Sequence, residues 1–194
     1  MVDGHETVSP PGERFAYNNG GYVVLALVAE RASGVSFHEL VRRRVCHPAG
    51  MHETAYLRSD ELPGDAALGY LSVDGPRTNV FHLPVTGSGD GGIYSTAADL
   101  TAFWRSLFAG RIVSPDRVSE MVRPRSTTPD GSKRYGLGFW LHATSDVVWL
   151  EGYDAGVSFC STHDPATSTT YTVISNWSEG AWPIVALLDE RLDS

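Results

Sequence analysis

The order of the periodic segments predicts an α+β fold, in which helices come first, antiparallel strands follow and a helix closes the chain. Three observations support this prediction. Apolar residues recur at helical spacing in four segments before residue 125, short β-rich runs begin at residue 135, and helical spacing returns over 182–192. We therefore expect a helical and loop region over 1–134 and a strand region with a closing helix over 135–194, both belonging to one domain.

Capping and stop signals delimit the four predicted helices. The first covers 21–33 and stops at Gly34, and its apolar face comprises Val24, Leu25, Val28, Ala29 and Ala32. The others run from the capping box at Ser36 to Pro48, from the Thr96 cap to Gly110, and from Ser114-Pro115 to Pro124. Residues 52–94 are predicted to be irregular, and a loop of this length usually carries or covers a site.

The strand region is predicted to form one antiparallel sheet, because the turns between successive runs are short enough for hairpins. The predicted strands cover 135–141, 147–150, 157–161 and 169–174. The closing helix over 182–192 is expected to turn Ile184, Leu187 and Leu188 inward.

Composition and charge exclude several classes of function. The 194 residues are 42% hydrophobic and 20% charged, and the formal net charge of -8 argues against a nucleic-acid partner. No apolar run approaches the roughly 20 residues of a membrane span. The first residues lack the apolar core of a signal peptide, so a cytoplasmic location is expected if Met1 is the true start. The two cysteines and seven histidines lack metal or redox spacing, so no metal or other cofactor is expected.

The stretch over residues 11–22 is the strongest candidate for a functional segment. Pro11-Gly12 marks a turn, and Asn18 and Asn19 can cap the helix that follows. Tyr17 then lies just ahead of a helix N-terminus, whose positive end favours the phenolate form. This placement suits a tyrosine that gives up a proton, and the alternative is a half-buried aromatic residue beside a cap.

Several motifs in this chain resemble those of the serine β-lactamase-like family, which includes class C β-lactamases, D-alanyl-D-alanine peptidases, D-amino-acid peptidases and related esterases. Tyr17 and Asn19 match its Tyr-x-Asn motif. Residues 48–51 resemble its Pro-Leu-Gly-Met turn, and residues 91–99 resemble its Gly-Gly-x-x-Ser-Thr-x-x-Asp segment. The resemblance implies a β-lactamase/transpeptidase-like fold, and it covers only the later part of the family's chain.

The family's nucleophile motif is absent from this sequence. Members of the family attack a carbonyl with the serine of Ser-x-x-Lys, one helical turn from its lysine. Lys133 is the sole lysine here, and Asp130 stands where that serine is needed. Because the family's nucleophile precedes Tyr-x-Asn, we expect it to lie outside this chain, which would leave the catalytic domain incomplete at its N-terminus.

The family's third motif, Lys-Thr-Gly or His-x-Gly, is partly matched at residues 150–152. Leu150 stands where the family has lysine or histidine, Glu151 takes the middle place, and Gly152 fits a close backbone approach. The resemblance implies that the Tyr153 N–H lines an oxyanion hole. Leucine cannot hold a substrate carboxylate and Glu151 would repel one, so an ester or amide without that carboxylate fits better. A tight strand turn without a catalytic task is the alternative.

Two functions are therefore expected from the sequence. The first is a serine hydrolase of this family that cleaves a small ester, amide or peptide through an acyl-enzyme, with Tyr17 as general base and Asn19 orienting substrate and lysine; this chain alone would be inactive. The second is a non-catalytic binding or interaction module derived from the same fold. Loss of early strands would expose a sheet edge, which predicts self-association or pairing with a missing N-terminal segment.

Overall fold

The computed structural model describes residue 6 and residues 9–72, 74–75 and 77–192. The helices are α1 (Asn19–Ser33), α2 (Phe37–Val41), α3 (His47–Ala49), α4 (Ala97–Phe108), α5 (Pro115–Met121) and α6 (Trp182–Leu192). The strands are β1 (Ser126–Thr127), β2 (Lys133–Tyr135), β3 (Trp140–His142), β4 (Val148–Asp154), β5 (Val157–Asp164) and β6 (Thr169–Ser175). The prediction of helices, an antiparallel sheet and a closing helix is confirmed.

The described strands form one sheet whose spatial order is the chain order, β1 to β6, with every neighbouring pair antiparallel. The two longest ladders join β5 to its neighbours β4 and β6, and the first of them runs from Val148 opposite His163 to Asp154 opposite Val157. The hairpin prediction is therefore confirmed. Successive side chains of a strand point to opposite faces of the sheet, so Leu150 and Glu151 of β4 lie on different faces.

The predicted strand over 135–141 is wrong, because the chain turns within it. The structure has β2 ending at Tyr135 and β3 beginning at Trp140, with Gly138 at φ 89° between them. Gly136 passes so close to α5 that a Cβ there would lie 2.2 Å from the Met121 carbonyl oxygen. Two glycines thus permit a hairpin where alternation alone predicts one strand.

The main core lies between α4 and one face of the sheet. Trp104 and Leu107 of α4 are buried against Leu141 and Val148, and Leu150 packs at the margin of the same cluster. The Trp104 Nε1–H donates to Ser161 Oγ on β5 at 2.8 Å. The apolar residues of α4 are therefore structural core, and they fix the orientation of the central strands.

The predicted inward face of α6 is largely wrong, and the apolar face of α1 is exposed as well. Leu25 and Val28 of α1 are 60% and 57% exposed, and Ala26 is the buried residue of this helix. Ile184 and Leu187 of α6 are each 47% exposed. Helical spacing correctly groups these apolar residues on one face of each helix. No other described part of the chain covers those faces.

The helix that begins near Ser36 passes through Pro48 instead of stopping before it. A π-helical stretch, Arg42–Cys46, joins α2 to α3, and Met51 N–H donates to the Cys46 carbonyl at 2.9 Å. The wider π turn accommodates a proline, which lacks an N–H and crowds the preceding turn of an ordinary α-helix. The predicted stop at Pro48 is therefore wrong by one short turn.

The long connection before α4 is irregular, as predicted, and is tied down by side chains. Asp99, buried in the first turn of α4, accepts from the Glu53 N–H at 2.9 Å and from Thr54 Oγ1 at 2.7 Å. Further along the same connection, Asn79 reaches the β4–β5 turn, where its Nδ2 donates to the Ala155 carbonyl at 2.9 Å. Among the described helices, none has the length and apolar character needed to cross a bilayer.

Candidate active site

Tyr17 lies where the sequence places it, immediately before the N-terminus of α1. Asn18 is the N-cap residue, with extended backbone, and its Oδ1 accepts from the Gly21 N–H at 3.2 Å. Asn19 is the first residue of α1 and is exposed. Because the cap fixes the direction of chain entry, the Tyr17 side chain is held at the open end of the helix, where it is 49% exposed.

The Tyr17 ring belongs to a cluster of aromatic side chains from the N-terminal turn, α1 and the sheet. It stacks on Trp140, with ring centroids 5.8 Å apart, and meets the edge of Tyr135 at 6.2 Å. Tyr22, from the first turn of α1, is hydrogen bonded through its hydroxyl to the Tyr135 hydroxyl. The cluster anchors the start of α1 to β2 and β3, and so positions the Tyr17 phenol relative to the sheet.

The charge around Tyr17 does not favour the phenolate, contrary to the sequence prediction. Burial raises the pKa of Tyr17 above its ordinary value, and nearby Tyr22, Asp90 and Glu151 raise it further. The positive end of a helix amounts to about half an elementary charge, which two full carboxylates and partial burial outweigh. With the described residues alone, Tyr17 is a neutral phenol at neutral pH, and use as a base needs an added cation.

The three residues of the third motif fall on two faces of β4. Leu150 packs against the main core, so its side chain turns away from Tyr17. Glu151, on the other face, accepts from Trp149 Nε1 at 3.0 Å and pairs with Lys133. Of the residues predicted to bind substrate, the structure thus brings Glu151 towards Tyr17 and leaves Leu150 in the core.

Gly152 and Tyr153 lie in the part of β4 that extends beyond β3. The register between β3 and β4 ends at Trp149, so residues 150–154 pair with β5 on one side and with no described strand on the other. A Cβ at Gly152 would lie 2.4 Å from the Phe159 ring, so packing across the ladder already demands glycine there. Tyr153 is 64% exposed, which leaves this end of the strand open to a ligand.

The sequence analysis missed Lys133, Trp140 and Trp149. Lys133 Nζ lies 5.1 Å from the Trp140 ring centroid and 5.4 Å from that of Trp149, and 3.1 Å from Glu151 Oε1. Two signals were present in the sequence: Lys133 is the sole lysine, and residues 133, 135, 149 and 151 occur at the two-residue spacing of one sheet face. Pairing between strands, which spacing does not supply, assembles them.

An open groove of about 1130 Å³ lies beside this cluster. It is bordered by the N-terminal turn, the start of α1, and the β1–β2 region; its lining includes Tyr17, Tyr22, Leu25, Arg125 and Tyr135. The groove has room for a substrate or a further segment of protein. The chemical groups that line it include the phenols of three tyrosines, the Glu13 carboxylate and the guanidinium groups of Arg14 and Arg125. This set is suited to binding and proton transfer but does not include an activated nucleophile.

Comparison with known proteins places this arrangement in one family. A family model described as Beta-lactamase matches residues 1–192. Penicillin-binding protein 4* of Bacillus subtilis is 30% identical over 169 residues, which are 80% of this chain and 38% of that protein. A D-aminopeptidase of Brucella anthropi is 34% identical over 142 residues, which are 69% of this chain and 26% of that protein.

The solved structures agree with the sequence relatives. The crystal structure of a penicillin binding protein from Bacillus halodurans is 37% identical and superimposes with a TM-score of 0.88, covering 94% of this chain and 58% of that one. An octameric penicillin-binding protein homologue from Pyrococcus abyssi is 27% identical, with a TM-score of 0.78 over 93% of this chain and 44% of that one.

The match is nearly complete for this chain and partial for its relatives. The chain spans less than half the length of each curated relative named above. The fold and the family match agree over the same residues. The chain therefore belongs to the beta-lactamase family.

Proposed function

We propose that this chain forms part of a serine hydrolase that cleaves a small ester, amide or peptide through an acyl-enzyme, and that its nucleophile is supplied by a protein segment outside these 194 residues. The observation that carries the proposal is the placement of Tyr17. Its phenol stands at the capped start of α1, half exposed, and Glu151 of β4 is near enough to raise its pKa. Ser-x-x-Lys is absent from the chain.

In the proposed reaction, the serine hydroxyl of that segment attacks the substrate carbonyl carbon and passes its proton to the Tyr17 phenolate. The Tyr153 N–H donates to the carbonyl oxygen as negative charge develops there. Collapse of the tetrahedral intermediate expels the amine or alcohol, which takes the proton back from Tyr17, and water then hydrolyses the acyl-enzyme by the same steps. Asn19 orients the substrate and the incoming lysine.

The raised pKa of Tyr17 supports a divided site. A phenol surrounded by Asp90 and Glu151 holds its proton, so this chain alone offers no effective base. The lysine of Ser-x-x-Lys would bring a positive charge next to Tyr17 and lower its pKa. On this proposal, the segment that carries the nucleophile also activates the base.

The exposed apolar face of α1 is the surface on which we expect that segment to dock. Leu25, Leu27 and Val28 are each more than half exposed, at 60%, 56% and 57%, and Leu25 also lines the groove beside Tyr17. Monomeric proteins seldom leave such a continuous apolar face open. The relatives have more chain than this one, as in the Bacillus halodurans protein, of which 58% is covered. We propose that a Ser-x-x-Lys segment covers this face.

The experiment that tests the proposal combines the chain with a separately expressed N-terminal segment of the Bacillus halodurans protein that contains a Ser-x-x-Lys sequence. Each component and the mixture are incubated with a fluorophosphonate and with a penicillin, and intact masses are recorded. We expect an adduct only in the mixture, on the serine of the added segment. An adduct on this chain alone would overturn the mechanism, and peptide mapping would identify the serine responsible.

A non-catalytic binding module is the second candidate, and the orientation of Leu150 favours it. Leu150 is turned into the core, and Glu151 is engaged by Lys133 and Trp149, so the described residues at the third motif offer no cation to hold a substrate carboxylate. This candidate predicts that a penicillin or an amide binds without turnover even when the N-terminal segment is present. Hydrolysis by the mixture would eliminate it.

Self-association is a further part of the proposal. The exposed α1 face and Ile174 on the last described strand of the sheet, 46% exposed, are surfaces that a second copy can cover. One structural relative is described as octameric. Light scattering coupled to size exclusion should therefore detect oligomers of the isolated chain. A monodisperse monomer with a high melting temperature would contradict this expectation.

A further inference from the structure

Lys133 occupies a site that has the features of an ammonium-binding cage. The Trp140 and Trp149 rings are nearly parallel, at 18°, with centroids 6.5 Å apart. The Lys133 ammonium lies within cation–π distance of both rings, at 5.1 and 5.4 Å. Two indole rings thus hold one primary ammonium group, which is supplied here by the protein itself.

Glu151 completes the cage with a carboxylate that is held in place. One of its oxygens lies 3.1 Å from Lys133 Nζ, and the other accepts from Trp149 Nε1 at 3.0 Å. The Glu151 side chain is 26% exposed, so part of its charge is shielded from water. A fixed, partly buried carboxylate beside two indole faces recognises a cation by charge and by ring contact together.

The cage adjoins the proposed catalytic residue through a shared ring. Trp140 contacts Lys133 and also stacks on Tyr17. Asp90 and Glu151 both raise the pKa of Tyr17, so both carboxylates lie near enough to attract a positive group bound beside it. Glu151 also pairs with Lys133, and Arg14 and Arg125 line the groove next to Tyr17, so the attraction for a substrate cation is specific to the cage.

We propose that Lys133, Trp140, Trp149 and Glu151 form a subsite for the ammonium group of a substrate, and that Lys133 occupies this subsite until the substrate replaces it. Lys133 is 37% exposed and has a flexible stem, so its ammonium can leave for water. The ligand class is an amino-acid amide or a peptide with a free amino end near the bond to be cleaved. That the bound cation is a substrate rests on the proposed function. The existence of a cation site rests on the geometry of these four residues alone.

A single lysine makes the exchange directly observable. Protein labelled with ¹³C in lysine has one Hε–Cε correlation in its NMR spectrum, and the two indole rings shift that signal from its position in water. We expect D-alaninamide to move the signal towards the position of a solvated lysine in a saturable way. N-acetyl-D-alaninamide, which has the same amide but no ammonium, should leave the signal in place.

Two variants test the roles of the cage residues through calorimetric binding of D-alaninamide. Lys133→Met removes the competing ammonium and should tighten binding about tenfold, because the site no longer has to be vacated. Glu151→Gln should weaken binding about tenfold. Glu190→Gln, at an exposed position on α6, is the matched control and should not change binding. Thermal denaturation of each variant verifies folding.

Specific results would overturn the inference. If D-alaninamide at saturating concentration leaves the lysine signal unmoved and binds no more tightly to Lys133→Met, the cage is a structural ion pair. If acetate moves the signal of the wild type, and calorimetry shows that acetate binds the wild type but not Lys133→Met, Lys133 binds carboxylates instead. Both readouts use the isolated chain and no hydrolysis, so failure of the two-component enzyme assay leaves this test unaffected, and the reverse also holds.

Discussion

Tyr17 stacks on Trp140 with ring planes 23° apart, and this contact joins the start of the first helix to the third strand of the sheet. The Lys133 ammonium also lies 5.1 Å from the centroid of the Trp140 ring. Tyr17, near the beginning of the chain, and Lys133, in the strand region, therefore contact the same tryptophan ring. The contact links the proposed base to the proposed ammonium subsite.

Tyr17→Phe should remove the proposed base without disturbing the fold. The hydroxyl is lost while the ring can keep its stacking on Trp140. In the mixture with the N-terminal segment, we expect hydrolysis of an amide or ester to fall at least about 100-fold, the usual contribution of a general base. The melting temperature of the isolated chain should not change. Full activity of Tyr17→Phe in the mixture would remove Tyr17 from the mechanism.

The paired substitution Leu25→Ser and Val28→Ser should weaken assembly and spare the isolated chain. Both side chains are more than half exposed, so truncation costs little buried area in this chain. We expect at least about tenfold weaker binding of the N-terminal segment, because apolar contacts in the complex are lost. Leu68→Ser, at a loop position that is 39% exposed, is the matched control. Unchanged assembly in the paired variant would place the docking surface elsewhere.

Asp99→Ala should destabilise the fold strongly. Its buried carboxylate accepts from the Glu53 N–H and from Thr54 Oγ1, so its loss leaves buried donors without partners. We expect a loss of about 2–4 kcal/mol in the free energy of unfolding, measured by urea denaturation. Asp116→Ala, at an exposed position in the first turn of α5, should cost about 0.5 kcal/mol or less. Equal effects of the two substitutions would show that the Asp99 contacts are not structural.

His163 should make stability fall in mild acid. Burial lowers its pKa below the ordinary value, and Asp164 opposes that shift only in part. Its ring stacks on Trp104 at 5.6 Å in the core, and Nδ1 is hydrogen bonded to Thr170 Oγ1. The unfolded chain therefore binds a proton more readily than the folded one. The contribution of neutral His163 to the free energy of unfolding is complete above about pH 6.5. It is lost as the pH falls from there to the lowered pKa of His163 in the folded chain.

The measurement is urea denaturation of the wild type and of His163→Gln between about pH 7.5 and 5.5, where one proton changes stability by at most about 1.4 kcal/mol per pH unit. Glutamine can still bond to Thr170 but does not titrate. The variant should be less stable overall and should lack the part of the pH dependence that comes from His163. An identical pH dependence in both proteins would assign the acid sensitivity to other groups.

The sequence by itself determined the order and type of the main elements. Capping residues act locally, so Thr96 marks the start of α4 correctly, and its hydroxyl accepts from the Asp99 N–H at 3.1 Å. Apolar spacing likewise identifies the closing helix, Trp182–Leu192, at its full length. The Tyr-x-Asn position follows from the chain alone, since Tyr17 and Asn19 are separated by the N-cap residue Asn18 of α1.

Tertiary structure decided which apolar residues are buried and which charged residues meet. Spacing identifies an apolar face on α1, but burial depends on what covers it, and Leu25 is exposed because no other described segment does so. Glu151 and Lys133 are 18 residues apart in sequence and meet because successive hairpins align β2, β3 and β4. The pKa of Tyr17 likewise depends on burial and on carboxylates brought near by folding, which a local helix dipole does not outweigh. Local signals therefore define the elements, whereas the electrostatics of the site arise from contacts between residues distant in sequence.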